Sequence, residues 1–99
     1  MSWAPVDAGT SIGSCGSEGG RILQDEEHEA GARITLEEGG ATAPFSITCG
    51  VYGVMFHTRF FPQRDEATLE YELMKVGLAA LATSQDAGAS VADFVLRYP

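Results

Sequence analysis

The stretch between Pro44 and Pro62 constrains this chain more than any other. Residues 45–51 and 54–61 are rich in β-branched and aromatic types and flank Tyr52-Gly53, a pair whose glycine can take positive φ. This is the pattern of a β-hairpin closed by a two-residue turn. That turn sets Val51 opposite Val54, Cys49 opposite Phe56, Ile47 opposite Thr58 and Phe45 opposite Phe60. One face is then apolar. The other carries Ser46, Thr48, Gly50, Met55, His57 and Arg59, as in an antiparallel sheet covered on one side. Burying seven apolar side chains at roughly 1.5–3 kcal/mol each contributes on the order of 10–20 kcal/mol gross, so the apolar face demands a cover.

The cover follows in the sequence. After Pro62 the period changes from two to 3.6, predicting a helix from about residue 65 to about residue 83. Leu69, Leu73, Val76 and Ala80 form a stripe expected to cover the hairpin. Met74, Leu78 and Leu81 form a second stripe, expected to meet the last helix or a second subunit. Gly77 costs about 1 kcal/mol against alanine in a helix, and a close approach to the sheet would offset that. Residues 84–89 read as a loop. Ser90 and Asp93 resemble a cap, and Val91, Phe94, Val95 and Tyr98 share one face of a short terminal helix that must dock to persist.

Upstream, Ala32-Arg33-Ile34-Thr35-Leu36 alternates as a half-buried strand. Residues 21–29 pair with it around Ala30-Gly31. A two-residue turn turns Glu27 and Asp25 to the core, a three-residue or bulged turn substitutes Glu26 and His28, and a short helix over 22–30 is the alternative. Residues 1–20, with the run Gly13-Ser14-Cys15-Gly16-Ser17-Glu18-Gly19-Gly20, have linker composition and predict a flexible arm or an irregular loop pinned by Trp3. The expected architecture is α+β: one domain over residues 21–99, an antiparallel meander of three to four strands with one long helix and a short C-terminal helix on one face. Phe45, Ile47, Cys49, Val51, Val54, Phe56, Phe60, Leu69, Leu73 and Val76 are its expected core.

Fourteen acidic against six basic residues give a formal charge of −8. That disfavours nucleic acid and anionic membrane as partners and leaves a basic protein surface as the macromolecular partner charge allows. Cys15 and Cys49 are too few for a disulfide framework, and no apolar run reaches membrane-spanning length. With no basic start and apolar core of a signal peptide, the expected location is cytoplasmic.

Chemistry-bearing clusters are sparse. Asp25-Glu26-Glu27-His28-Glu29 supplies metal-ligand types, but strand alternation splits them between two faces, and no metal or cofactor is expected. Cys49 and His57 point apart in the register above, which leaves no catalytic dyad. Thr48, His57 and Arg59 share the outer face and form a candidate anion site, Arg59 as forked donor and His57 as titrating group. The functional expectation is a small acidic interaction module, not an enzyme, that self-associates as a homodimer through apolar residues without assigned partners: Met55, Tyr52, Phe61, Met74 and Leu78. The alternative is an anionic-ligand binder or small enzyme built around His57 and Arg59.

Overall fold

A computed structural model describes residues 3–83 and 87–99, the side chains of residues 87–90 excepted. Five strands run in sequence order as an antiparallel meander: β1 (Trp3–Pro5), β2 (Arg21–His28), β3 (Ala32–Glu38), β4 (Phe45–Val51) and β5 (Met55–Phe61). Helices α1 (Arg64–Ala82) and α2 (Ala87–Arg97) follow, α1 packing across β3, β4 and β5. The class is α+β, with one strand more than the three to four expected. The addition is β1, where Trp3 pairs with His28 and sets its indole edge-on to the imidazole, ring centroids 5.3 Å apart.

The hairpin register is shifted by one residue from the expected one. Val51 pairs with Met55, leaving Tyr52, Gly53 and Val54 as a three-residue loop. The Val54 N–H closes a turn onto the Val51 carbonyl, and Gly53, third in that turn, sits at φ 73, a type II requirement that a side chain would oppose. Because strand side chains alternate, one residue of slip turns β5 over. Met55, His57, Arg59 and Phe61 lie on the helix-facing side with Phe45, Ile47, Cys49 and Val51, and Phe56, Thr58 and Phe60 lie on the outer side. Phe56, Phe60 and Val54, expected in the core, are therefore exposed. The β2–β3 loop likewise has three residues, with Gly31 at φ 97, so Glu26 and His28 face the helices; a bulge at Leu23 then returns Ile22 to the outer side.

The buried stripe of α1 also differs from the expected one. Ala67, Tyr71, Met74, Leu78 and Leu81 pack on the sheet, while Leu69, Leu73 and Val76 face away. The reason is polar as well as apolar. The Tyr71 hydroxyl donates to Glu26 Oε1 at 2.8 Å, and Lys75 Nζ lies 3.0 Å from the same oxygen, so a strand carboxylate selects the helix face beneath it. Helix α2 docks through Phe94 and Tyr98 onto α1 at Gly77, where a Cβ would lie 3.1 Å from Tyr98 Cε2. The close approach at Gly77 is thus to the neighbouring helix and not to the sheet. Of the expected loop over 84–89, residues 84–86 lie outside the described residues and Ala87 is already helical. The Ser90 cap falls outside the described side chains.

Residues 6–20, for which the sequence leaves open a flexible arm or an irregular loop, lie folded back as a loop on the outer face of β2 and β3. A short 3-10 turn over Val6–Gly9 buries Val6, and Gly13 and Ser14 exchange backbone hydrogen bonds with Ile22. The anchor is Glu37. Its fully buried carboxylate accepts from the Glu18 N–H at 3.2 and 3.3 Å and from the Gly20 N–H at 3.1 Å. The loop carries glycine because it must come this close: a methyl at Gly16 would overlap the Glu37 carboxyl carbon. Few apolar contacts are needed where a carboxylate meets two backbone amides.

Candidate functional site

Thr48, His57 and Arg59, expected together on the outer face, are divided by the slipped register. Thr48 remains outside, its hydroxyl 3.3 Å from that of Thr58 across the β4–β5 pair. His57 and Arg59 turn inward. His57 Nε2 lies 2.6 Å from the Tyr98 carbonyl, and since a carbonyl only accepts, that nitrogen carries a proton. Arg59 pairs with Glu70 Oε1 at 2.7 Å, donates from Nε to the Pro99 carbonyl at 3.2 Å, and stacks over the Phe61 and Tyr98 rings. Both side chains fasten β5 to α1 and to the residues after α2.

The register that separates those three brings Cys49 and His57 into direct cross-strand pairing on one face, the reverse of the expectation that they point apart. The pair is still not a nucleophile with its base. Cys49 is 1 % exposed, and burial pushes its thiol up to about 12 against a smaller opposing pull from Arg59, so it remains protonated at neutral pH.

The acidic run of β2 is divided as alternation requires. Glu26 is held by Tyr71 and Lys75 beneath the helix, and burial together with this carboxylate pushes the Tyr71 phenol well above its ordinary range. The His28 Nδ1 accepts from the Ala30 N–H at 3.1 Å. Asp25 is buried on the outer side. There Arg33 grips it through Nε at 3.0 Å and Nη2 at 2.8 Å, and the Thr35 hydroxyl donates at 3.0 Å. Burial alone would raise the Asp25 carboxyl, but these donors, Arg33 foremost, outweigh it and hold the group below its ordinary value.

Two features of the outer face stand unpartnered by the rest of the chain. The first is the free edge of β5, the last strand of the sheet, where Phe56 is 74 % and Phe60 44 % exposed on either side of Thr58. The second is a groove of about 500 Å³ between the Cys15–Ser17 loop on one side and Tyr52, Gly53 and Phe56 on the other. Its origin lies in residue size. Along β4 the outer positions are Ser46, Thr48 and Gly50, a low row between the taller aromatic side chains of β5 and the folded-back N-terminal segment. No sequence signal marked the groove, because its far wall is the segment read as a linker. Among the described residues no helix is long and apolar enough to cross a membrane, and no group of three or more metal-ligating side chains gathers. No protein-family model, curated protein or solved structure matches this chain.

Proposed function

We propose that this chain is a non-enzymatic interaction module that self-associates through the free edge of β5. The observation that carries this reading is the sequence Phe56-His57-Thr58-Arg59-Phe60 on an exposed strand edge. It is close to palindromic about Thr58. A two-fold axis there pairs β5 with β5 of a second copy, placing each Phe56 opposite the partner's Phe60, with Thr58 facing its own counterpart. Aromatic cross-strand pairs of this kind contribute roughly 0.2–1 kcal/mol each beyond the backbone hydrogen bonds, and a self-complementary patch is what a two-fold contact requires.

The other edge is a poor template. β1 has three residues and ends in Pro5, which has no N–H to offer. β5 has seven residues and no proline. Polar side chains that would blunt it are drawn under the helices, Arg59 to Glu70 and His57 to the Tyr98 carbonyl. Of the apolar residues first assigned to a dimer contact, Met74, Leu78 and Phe61 are buried within the chain, whereas Tyr52 is exposed and Met55 half-buried.

The test is sedimentation or light scattering over a wide concentration series. The wild-type chain is expected to pass from monomer to dimer. Phe60→Lys is expected to abolish the dimer without unfolding the chain, since Phe60 is partly exposed on the outer face. Adding Phe56→Glu to Phe60→Lys is expected to restore association in low salt, because each glutamate would face the partner's lysine. A wild-type chain that stays monomeric throughout, or a Phe60→Lys variant that still dimerises, refutes the reading.

A further inference from the structure

We propose that the outer-face groove is a binding site for a small aromatic carboxylate, held at one end by Arg33 and at the other by Phe56. At about 500 Å³ the groove has the capacity of a metabolite site and not of a folded partner. Arg33 is the one ionisable group with a permanent charge in its lining, in a chain of net charge −8. The guanidinium is held in one orientation by an ion pair. Asp25, buried beneath it, engages the edge formed by Nε and Nη2, and the side chain remains 55 % exposed. A guanidinium has five N–H donors, so the end-on edge formed by Nη1 and the second Nη2 hydrogen is left for another bidentate acceptor.

The ligand's charge is limited by the surroundings. Asp25 offsets Arg33 directly, and Asp7 and Glu27 also act on it although neither lines the groove. A planar monoanion suits that balance, whereas a phosphate dianion would bring a second charge with nothing to meet it. The flat remainder of the ligand has a matching surface. Gly50 leaves the floor without a side chain, the Thr48 and Thr35 positions are low, and the Phe56 ring stands exposed at the wall, so a ring can lie along the sheet and against an aromatic face. Phe56 is shared with the proposed β5 contact, but every lining residue belongs to one chain, so the site is complete without the dimer.

Indole-3-acetate is the probe, with indole-3-acetamide, of the same shape without the charge, as its control. In titrations followed by amide resonances, the acid is expected to shift Gly50, Phe56 and Arg33 saturably. The amide should bind about tenfold more weakly or worse, the loss of a charge-assisted bidentate contact. Arg33→Lys keeps a cation beside Asp25 but removes the second fork, and should weaken the acid by about the same factor. Ser17→Trp, at an exposed position on the rim, fills the groove and should abolish the shifts. Phe60→Lys lies outside the groove, so binding that survives in this variant separates the site from the dimer. No saturable shift with the acid, an equal response to acid and amide, or full binding in Ser17→Trp overturns the proposal. Should Arg33→Lys fail to fold, the acid and amide comparison on the wild-type chain decides alone.

Discussion

Removing the Glu37 carboxylate tests whether one buried charge holds the N-terminal segment on the sheet. Two effects oppose each other. A carboxylate buried without a cation has lost its hydration, and replacing such a group is often neutral or stabilising. Against that stand hydrogen bonds from two backbone amides, at 3.1–3.3 Å, near the long end of the usual range. Hydrogen bonds to charged groups contribute about 1.5–3 kcal/mol each, so two at the lower limit come to about 3 kcal/mol. We expect this term to win, because Gly16, Gly19 and Gly20 bury no side chain and the loop's other ties are neutral backbone hydrogen bonds, such as that from the Ala41 N–H to the Glu18 carbonyl. Glu37→Ala should then lower Tm by roughly 12–24 °C at 4–8 °C per kcal/mol for a chain of this size. Glu37→Gln keeps one acceptor oxygen but turns an NH2 toward a donor, and about half the loss is expected. Calorimetry gives the stability and amide exchange gives the location, with Glu18 and Gly20 losing protection first. Gly16→Ala strikes the same contact from the loop side, so the double variant with Glu37→Ala should fall well short of additive. A Glu37→Gln chain that melts higher than wild type, with Gly20 protection unchanged, would refute the reasoning and show that desolvation governs the site.

Cys15 is exposed and Cys49 buried with its thiol raised, so a chromogenic disulfide at mildly alkaline pH should modify one thiol in the native chain and both in denaturant. The same shift makes Cys49 a stabilising neutral group below its unfolded value of 9.0, with that contribution lost as pH rises from there toward 12; Cys49→Ala should flatten this part of the Tm–pH curve. Asp25 has the opposite sign: its folded value lies below 3.8, so its contribution is present above that pH and is lost as pH falls through the folded value, and Asp25→Asn should remove that acid-side slope from the melting curves. Gly77→Ala gains about 1 kcal/mol of helix propensity but crowds Tyr98 and Phe94, and overpacking typically costs about 1–3 kcal/mol. Net loss is expected, read as faster amide exchange in residues 91–98 with the first two turns of α1 unaffected.

Strands β3 to β5 and the two helices are legible in the sequence, β1 is not, and β2 stands open there between strand and helix; the facing of β5 and α1 is misplaced. For β5 both registers place apolar groups on a face: Val54, Phe56 and Phe60 in one, Met55 and Phe61 in the other. Counting apolar residues favours the first. What decides for the second is reached only in three dimensions, since Arg59 is satisfied by Glu70 and His57 by the Tyr98 carbonyl. The helix repeats the lesson. Ala67, Tyr71, Met74, Leu78 and Leu81 do follow one another at spacings of four, three, four and three, a regular signal longer than that of the rival stripe. Met74, Leu78 and Leu81 are the second stripe of the sequence reading, but Ala67 and Tyr71 do not stand out beside Leu69, Leu73 and Val76, which are more apolar than alanine and tyrosine. The Glu26 carboxylate that rewards Tyr71 and Lys75 lies some forty-five residues away. The Gly/Ser segment reads as linker by composition because composition counts side chains, whereas Glu37 binds backbone.

These corrections converge on one strip of the molecule. The sheet is covered by helices on one side, and on the other the N-terminal segment reaches β2 and β3 through Ile22 and Glu37. The outer face of β5 remains, beside the short side chains of β4, of which Ser46 and Thr48 are already buried. A chain under pressure only to stay soluble would place charge there, as the outer side of a half-covered antiparallel sheet commonly does. Instead the strip holds Ser46, Thr48 and Gly50 on β4 and Phe56, Thr58 and Phe60 on β5, without one charged side chain, in a chain with fourteen acidic residues. The one permanently charged residue of β5, Arg59, is on the inner side, where desolvating it carries a cost that solvent exposure would have avoided. Exchanging the two faces by one residue of slip would hide the phenylalanines and expose the charge. The ties from Arg59 and His57 to α1 and the chain beyond α2 hold the register against that exchange, which makes them positioning contacts for the exposed aromatic edge.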